Sequence, residues 1–349
     1  MKNLQNPKSQ GYRMPAEWEK HEATWLSWPK DPITWPDRVN AAQEVFCQMI
    51  SALTPHEKVH LLVDSEEVEL ELKQKFASRD IVMPSLIFHR LKTVDSWIRD
   101  YGPNFIVKES KGKKTLAYNH WIFNAWGNKY ESLKQDNAIP AQLQNYLKLE
   151  MFEPGIVLEG GSIDVNGCGS LLTTEQCLLN HNRNPQLTKI EIEEILKHQL
   201  GVEQILWLGE GIAGDDTDGH IDDITRFVSE NTIVTVIEED KQDPNYQPLQ
   251  DNLKRLKLMK NLDGKPFEIV TLPMPGAVES DEGRLPASYG NFYIANNVVL
   301  VPIFKHAHDE LALTTLQKLF PKRKVIGIDC RDLVWGMGAI HCVTQQQPY

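Results

Sequence analysis

The stretch RDYGPNFIVKESKGKKTLAYNH, residues 99–120, contains the small unit from which the whole fold is predicted. A polar signature is followed by a short strand, a turn of Lys and Gly residues, and a second, more apolar strand. Three later stretches repeat this order: LEGGSIDVNGCGSLLTTEQCLLN (158–180), DGHIDDITRFVSENTIVTVIEED (218–240) and LPASYGNFYIANNVVLVPIF (285–304). The pattern therefore predicts one hairpin that recurs along the chain.

Helix-like stretches with apolar residues three and four apart separate these hairpins, as in KIEIEEILKHQL (189–200) and DELALTTLQKLF (309–320). Short apolar strands follow them, including QILWLG (204–209) and KVIGI (324–328). The unit of strand, strand, helix and strand recurs at roughly 50 to 70 residues, a period typical of propellers and of arrays of supersecondary units.

The last copy, WGMGAIHCVTQQ (335–346), offers only one strand, in which we expect His341 and Cys342 to lie. Circular closure would let the N-terminal stretch ATWLSWP (23–29) complete this final unit. Two unrelated α/β domains are the alternative that the pattern leaves open.

Composition narrows the class of protein. The net charge of −11 excludes the basic surface of a general nucleic-acid binder and disfavours anionic membrane surfaces. Five cysteines without regular spacing argue against a disulfide framework and for a reducing compartment. The sequence contains neither a signal-peptide pattern nor an apolar run of membrane-spanning length. We therefore expect a cytoplasmic protein.

Candidate functional residues lie at the edges of the repeated hairpins: Asp100, Glu159, His220, Asp222 and Cys342. A radial repeat would bring such equivalent positions to one central point. Strand alternation predicts that His220 and Asp222 share one face, and that His341 faces away from Cys342. Each residue also has an ordinary structural interpretation: a buried thiol, a hydrogen-bonded histidine or a turn-capping carboxylate.

One thiol, one imidazole and three carboxylates favour a particular chemistry. A cysteine nucleophile acts as a thiolate, which a nearby histidine or cation stabilises. A stabilised thiolate predicts that Cys342 is alkylated before Cys47, Cys168, Cys177 and Cys330. Several carboxylates beside a thiol do not suit an acyl transferase, whose oxyanion needs donors. They suit a cationic electrophile such as a guanidinium, which carboxylates bind in bidentate fashion.

Metal binding is the competing use of the acidic run GDDTDGHIDD (214–223). A divalent ion could bind there, but Arg226 stands where an EF-hand loop starting at Asp215 needs Glu. Cys168 and Cys177 lack a matching Cys/His pair for zinc. The residues therefore argue against an EF-hand and a zinc site, and leave another divalent ion open.

Seven stretches carry a resemblance to a known family: MPAEWEKHEATWLSWP (14–29), WIRDYGPNF (97–105), FNAWG (123–127), LEGGSIDVNG (158–167), TDGHIDD (217–223), RLPASYGNFYIANN (284–297) and GAIHCVTQQQP (338–348). Together they resemble the agmatine deiminases, in the peptidyl-arginine deiminase-like branch of the guanidino-modifying superfamily. The resemblance implies a five-bladed pseudosymmetric α/β propeller of ββαβ units. It implies a polar tail over residues 1–13 and one catalytic domain over residues 14–349.

The resemblance also implies roles. Cys342 would be the nucleophile and His220 the general acid and base. Asp100 and Asp222 would clamp the guanidinium, Glu159 would support them, and Trp97 would line the pocket. The expected reaction converts agmatine to N-carbamoylputrescine and ammonia through a covalent amidino-thioether, without a cofactor or metal.

Alternatives and departures follow from the same resemblance. A peptidyl-arginine or free-arginine deiminase would need a cation for the substrate carboxylate, and Lys129 is a candidate. An amidinotransferase would form the same intermediate.

Two residues depart from the family pattern: Met337 and Asn128 stand where the family commonly has glycine. These departures bear on the geometry of the loops that contain them and on selectivity for the substrate. The partner expected is a small guanidino cation, with a homo-oligomer possible and the nature of the distal-amine site left open.

Overall fold

The computed structural model describes residues 6–281 and 283–349. Its α-helices and single helical turns alternate with strands along the chain: Val39–Leu53, Glu66–Ala77, Ile98–Tyr101, Ala125–Asn128, Ile139–Leu147, Glu175–Leu178, Lys189–Leu200, Tyr246–Leu258 and Asp309–Leu319. Short 3₁₀ segments lie at Lys8–Gln10, Met83–Ser85, Glu131–Ala138, Gly160–Ser162, Ile221–Asp223 and Val334–Gly336. The fold is mixed α/β.

Small mixed sheets contain most of the strands. One consists of His21–Ser27, Lys58–Val63, Leu86–Arg90 and Gln345–Pro348. The next two comprise Asn104–Ser110, Lys113–Asn119 and Glu150–Phe152, and then Asp164–Val165, Ser170–Thr174 and Gln204–Leu208. Two more comprise Thr225–Phe227, Thr232–Ile237 and Glu268–Pro273, and then Tyr293–Ile294, Val298–Ile303 and Lys324–Asp329. A separate hairpin pairs Glu279–Ser280 with Gly283–Arg284.

The predicted order of strand, strand, helix and strand is confirmed in these sheets. In the fourth sheet, for example, the first two strands pair antiparallel, and the third pairs parallel after the helix Tyr246–Leu258. A parallel partner requires such a crossover, because the chain must return to the starting edge of the sheet. Every three-stranded sheet therefore presents the start of its first strand at an equivalent position.

The helix Lys189–Leu200 illustrates how local sequence sets these bounds. Thr188 and Glu191 form a reciprocal capping box at its N-terminus, and Gly201 ends it at φ 67°. Apolar residues spaced four apart, Ile192, Leu196 and Leu200, are buried on its inner face. The helix predicted from the sequence is therefore confirmed with the same bounds.

The two ends of the chain meet in the first sheet, as predicted. Gln345–Pro348 pairs antiparallel with His21–Ser27, and Trp25 Nε1 donates to Gln347 Oε1 at 2.8 Å. The prediction that the last strand contains His341 and Cys342 is wrong, because residues 340–343 form a turn that precedes it.

Part of the segment expected to be a polar tail is folded. Tyr12 is buried, and the backbone of Arg13 exchanges hydrogen bonds with Val107 at the edge of the second sheet. Residues 1–5 of this segment lie outside the described residues. Across 6–281 and 283–349, none of the helices has the length and apolarity needed to cross a membrane.

Candidate active site

Single helical turns just before the first strands of three sheets present the predicted acidic residues. The turn Ile98–Tyr101 contains Asp100, Gly160–Ser162 follows Glu159, and Ile221–Asp223 contains Asp222. The prediction that His220 begins a strand is wrong, because the strand starts only at Thr225. A tight turn nevertheless keeps His220 and Asp222 together, with 3.9 Å between Nδ1 and Oδ1.

The predicted catalytic residues converge in the interior. His220 Nδ1 lies 3.7 Å from Asp100 Oδ1, and Cys342 Sγ lies 3.8 Å from Asp222 Oδ2. His220, Asp222 and Glu159 are fully buried, and Cys342 is 6% exposed. The structure thus brings side chains from four separate parts of the chain into one buried cluster.

Gly161 makes this close approach possible. A Cβ atom added there would lie 2.6 Å from His220 Nδ1 and 2.9 Å from Asp100 Oδ1. The Gly161 N–H instead donates to Asp100 Oδ1 at 2.9 Å. Gly160 is equally confined, since its added Cβ would lie 2.1 Å from the Arg99 carbonyl oxygen. The paired glycines are therefore a steric requirement of the cluster.

Several buried polar atoms of the cluster have no hydrogen-bond partner in the described protein. They are Glu159 Oε2, His220 Nδ1, His220 Nε2 and Asp222 Oδ1. Buried polar groups are normally hydrogen-bonded, because leaving one unpaired costs about 1–3 kcal/mol. A concentration of unpaired donors and acceptors in one place indicates a polar ligand site.

Asn291 is a site residue that the sequence analysis missed. Its Nδ2 donates to Cys342 Sγ at 3.1 Å and to Asp223 Oδ1 at 3.0 Å. Its Oδ1 accepts from the backbone N–H of His341 at 2.9 Å. The available signal was the fourth hairpin copy, in which Asn291 occupies the polar signature although no role was assigned to it.

His341 does not face away from the cluster, so that prediction is wrong. Its Nδ1 lies 2.6 Å from Asp222 Oδ2, and its Nε2 lies 2.7 Å from Glu17 Oε2. The reason is the turn at residues 340–343, where strand alternation does not apply. Glu17 was likewise not foreseen, since a lone glutamate in the N-terminal stretch gives no sequence signal.

Tryptophans enclose the cluster. Trp97 is buried, its ring packs 5.4 Å from that of Trp35, and Gly338 separates it from Cys342. Trp126 donates from Nε1 to Asp100 Oδ2 at 2.9 Å and adopts φ 53°, a conformation uncommon for a large side chain. Trp97 was predicted, whereas Trp126 was not.

Met337 and Asn128, the two departures noted in the sequence, share a backbone feature. Met337 has φ 73° and Asn128 has φ 65°, which is the left-handed region that glycine favours. Asparagine tolerates this region better than most residues do. The two positions at which the sequence resemblance led us to expect glycine thus have a glycine-like backbone here.

Charged neighbours occupy the rim of the cluster. Arg183 Nε donates to Glu159 Oε1 at 2.7 Å, and Arg183 Nη1 donates to Asp218 Oδ2 at 2.6 Å. Lys129, the cation considered for a substrate carboxylate, donates to Asp218 Oδ1 at 2.9 Å and to the Asp216 carbonyl. Lys129 is therefore already engaged by acidic-loop oxygens.

Electrostatics set the resting protonation of the cluster. Burial, reinforced by the Asp222, Asp223 and Asp100 carboxylates, raises the pKa of the Cys342 thiol well above its usual value. Burial alone would lower the pKa of His220, but the Asp100 carboxylate, with Cys177 and Asp222, raises it well above the usual range. The direction of this shift opposes the expected stabilisation of a Cys342 thiolate in the ligand-free protein.

The two clamp carboxylates differ. Burial raises the pKa of Asp100 to about 6, with the His220 charge opposing it. Burial would also raise the pKa of Asp222, but the hydrogen bond and charge of His341 lower it. Asp222 is thus the more firmly ionised of the pair.

Among residues 6–281 and 283–349, two trios have donor atoms close enough together to hold a metal ion: Glu159, Cys177 and His220, and Asp222, Asp223 and Cys342. Four of these six residues are the ones predicted to bind or attack a guanidinium: Glu159, His220, Asp222 and Cys342. In the acidic run, Asp215 accepts from the N–H groups of Gly219 and His220, so it shapes the loop. The acidic run is therefore used largely for loop structure.

Comparison with known proteins identifies the family. The family model of Porphyromonas-type peptidyl-arginine deiminases matches residues 13–348. The chain belongs to this family. A deiminase-family relative from Legionella pneumophila strain Philadelphia 1, provisionally named an agmatine deiminase, is 39% identical over 345 residues, which cover 98% of this chain and 96% of the relative.

Solved structures of the deiminase family match the whole chain. The agmatine deiminase of Enterococcus faecalis gives a TM-score of 0.91 at 33% identity, covering 99% of this chain and 98% of that one. A cysteine-to-serine variant of the agmatine deiminase of Campylobacter jejuni, with substrate bound, gives 0.86 at 36% identity, covering 97% and 96%. An amidinotransferase, SxtG of Microseira wollei, shares the fold alone, with a TM-score of 0.52 at 11% identity over 96% of each chain.

Proposed function

We propose that this protein is an agmatine deiminase, which hydrolyses the guanidinium of agmatine to N-carbamoylputrescine and ammonia. The observation that carries the proposal is the set of unpaired buried atoms on Glu159, His220 and Asp222, together with the 3.8 Å approach of Asp222 to the Cys342 sulfur. A planar cation with N–H groups on three sides would satisfy the carboxylate oxygens and bring its carbon to the sulfur. The full-length similarity to agmatine deiminases supports the same substrate.

Each side chain receives a role in this proposal. Asp100 and Asp222 hold the guanidinium nitrogens, and Glu159, fixed by Arg183, holds a further N–H. His220 is the general acid and base, and Cys342 is the nucleophile. Trp97 forms a wall of the pocket. Asn291, which contacts Cys342 Sγ, orients the sulfur.

The first chemical step begins from a neutral thiol and a protonated imidazole. Binding of the substrate cation between the carboxylates offsets the negative charge that raises the pKa of Cys342, so the thiol releases its proton to solvent. The thiolate forms a bond to the guanidinium carbon. The C–N bond to a terminal nitrogen breaks as His220 gives its proton, and ammonia leaves.

The second step returns the enzyme to its starting state. His220, now neutral, takes a proton from water as the water oxygen attacks the amidino-thioether carbon. The C–S bond breaks and the sulfur leaves as thiolate. The protonated ureido product gives its hydroxyl proton to this thiolate, which restores the neutral thiol beside a protonated His220, and the product is released. No metal or organic cofactor takes part in this scheme.

Lys129 bears on the choice of substrate. Its ammonium is engaged by Asp218 and by the Asp216 carbonyl, which leaves it poorly placed to bind a substrate carboxylate. Agmatine has no carboxylate, whereas arginine has one. This observation favours agmatine over free arginine or an arginine peptide.

The proposal extends to the architecture. The sheets correspond to five blades of a pseudosymmetric propeller, because successive units deliver Asp100, Glu159, His220, Asn291 and Cys342 to one centre. Pairing of the last strand with the first sheet supports circular closure. One catalytic domain then spans residues 14–349, with any tail confined to residues before the Tyr12 contact.

The test is ammonia release from agmatine, free arginine and an arginine peptide by wild-type protein and by Cys342→Ala. We expect release from agmatine alone, together with N-carbamoylputrescine, and none from the variant. Release from arginine or the peptide instead would refute the substrate assignment. Product formation without ammonia when a second amine is supplied would point to amidino transfer.

A further inference from the structure

His341 lies between two buried carboxylates, one in the cluster and one outside it. The Nδ1 distance to Asp222 Oδ2 is 2.6 Å, and the Nε2 distance to Glu17 Oε2 is 2.7 Å. Both contacts are hydrogen bonds only if each ring nitrogen carries a hydrogen, because an ionised carboxylate is acceptor-only. His341 is therefore a two-ended donor that links Glu17 to Asp222.

The outer end of this link is rigidly held. Glu17 Oε1 accepts from Arg226 Nη2 at 2.9 Å and from the Ile294 N–H at 2.8 Å, and Oε2 lies 3.5 Å from Arg99 Nη2. The side chains of Glu17, Arg226 and Arg99 are all nearly fully buried. Burial would raise the pKa of Glu17, but the Arg226, His341 and Arg99 charges lower it well below its usual range. Glu17 is thus a fixed anionic anchor for the Nε2 end of His341.

The inner end decides how Asp222 is presented. Oδ2 is occupied by the His341 donor and lies 3.8 Å from the Cys342 sulfur. Oδ1 has no hydrogen-bond partner among the residues that the structure describes, and it lies 3.9 Å from His220 Nδ1. Because His341 holds one oxygen, the carboxylate cannot rotate freely, and the unpaired oxygen stays inside the cluster.

We propose that His341 and Glu17 are positioning residues for Asp222, holding one carboxylate oxygen so that the other binds the substrate guanidinium in line with Cys342. This inference rests on the proposed function, since it assigns Asp222 to a cationic substrate. Neither His341 nor Glu17 touches the reacting atoms in this scheme. The adjacent residues His341 and Cys342 thus have different roles. Cys342 is the nucleophile, and His341 positions Asp222, which binds the substrate guanidinium.

The chain contains a matched control in Glu57. Its Oε1 lies 3.3 Å from His21 Nδ1, and its Oε2 accepts from the Asn296 N–H at 2.7 Å. Like Glu17 it is a buried glutamate bound to a histidine and a backbone N–H, but it has no contact with Asp222 or Cys342 among the described residues. Glu57→Gln therefore measures the cost of a buried Glu→Gln change without the link.

The first experiment compares agmatine kinetics of His341→Ala, His341→Asn, Glu17→Gln and Glu57→Gln with wild type, alongside thermal unfolding. Asparagine keeps a donor near the position of Nδ1 but cannot reach Glu17. We expect kcat/KM to fall about 100-fold for His341→Ala, with about 10-fold recovery in His341→Asn and a roughly 10-fold loss in Glu17→Gln. We expect Glu57→Gln to stay within about 3-fold of wild type.

Thermal unfolding measures separately the stability that Glu17→Gln loses with the Arg226 and Arg99 ion pairs. A loss of stability does not explain recovery of kcat/KM in His341→Asn relative to His341→Ala. Equal losses of kcat/KM in Glu17→Gln and Glu57→Gln would overturn the proposal. So would a His341→Asn variant no more active than His341→Ala.

A second experiment needs no turnover and separates this inference from the proposed function. Calorimetric titration of Cys342→Ala, with and without His341→Ala or Glu57→Gln, uses agmatine and, separately, guanidinium ion. We expect His341→Ala to weaken binding of both at least about 10-fold and Glu57→Gln to leave it unchanged. If wild type does not turn over agmatine but this order of binding holds, the proposed agmatine deiminase activity is refuted, whereas the positioning role of His341 is supported. Unchanged binding in the His341→Ala variant, or no binding of either cation to Cys342→Ala, would overturn the positioning.

Discussion

Two buried histidine–carboxylate groups in this molecule have opposite hydrogen-bonding states. In the first sheet, both ring nitrogens of His21 and both oxygens of Glu57 have partners, including Thr24 and the Asn296 N–H. In the central cluster, neither ring nitrogen of His220 has a hydrogen-bond partner within the described part of the chain, and neither does Asp222 Oδ1. The residue types and the burial are alike, so neither distinguishes the two places.

The two groups differ in how many of their buried polar atoms have hydrogen-bond partners. A satisfied buried group stabilises the fold that contains it, whereas an unsatisfied one costs free energy until a ligand pairs it. The first-sheet pair is structural, since nothing remains for a ligand to bind. The central cluster is poised for a cation.

The largest effect is expected from removing one negative charge from the central cluster. Asp100→Asn and Asp222→Asn should each lower kcat/KM for agmatine by roughly 1,000-fold, because a lost buried ion-pair partner costs about 3–5 kcal/mol. Glu57→Gln should retain turnover. Steady-state kinetics with circular dichroism to verify folding provides the measurement, and near-normal activity in either aspartate variant would refute its role as a clamp.

A smaller loss is expected from steric intrusion. Gly161→Ala places a methyl group against His220 and Asp100, so kcat/KM should fall about 100-fold through displaced geometry. Gly209→Ala is the matched control, since its added Cβ would lie no closer than 3.4 Å to its nearest neighbour, Arg255 Nη2. Equal activity of the two variants would show that the cluster is looser than described.

The pH profile probes Asp100 itself. Burial raises its pKa to about 6, so the carboxylate is neutral below this pH and cannot pair with a guanidinium. We expect kcat/KM to fall as pH falls through about 6, because this parameter reports the free enzyme. Trp126→Phe removes a hydrogen bond that lowers the Asp100 pKa, and should move this limb to higher pH. A profile that is level down to pH of about 4.5 would contradict the assignment.

The smallest expected effect concerns thiol reactivity. Cys168 is exposed, whereas Cys342 is buried among carboxylates that raise its pKa. Without substrate, iodoacetamide should label Cys168 first and Cys342 about 10-fold more slowly. Peptide mass mapping over time measures this ratio. Faster labelling of Cys342 would mean that the thiolate is stabilised even without a cation.

The sequence predicts the repeat well because hairpins and crossover helices are local patterns. The helix Lys189–Leu200 follows from its capping residues and apolar spacing, and the pairing of both chain ends follows from the missing strands of the last unit. Convergence of Asp100, Glu159, His220, Asp222 and Cys342 followed from their equivalent places in the repeat.

The remaining features depend on contacts between distant segments. His341 was assigned to the wrong face because a turn, rather than a strand, contains it. Glu17 reaches the site only through folding, which places it beside a residue 324 positions away in the chain. Asn291 differs, because it lies in the fourth copy of the hairpin, and the repeat pattern could therefore have identified it.

The most direct test of the central claim is to trap the covalent intermediate. Wild-type protein mixed with agmatine, quenched in acid within a turnover and digested, should contain an adduct of agmatine less ammonia on the peptide with Cys342. Glu57→Gln should give the same adduct, and Asp222→Asn should give little. An adduct on another cysteine, or none during active turnover, would contradict the account.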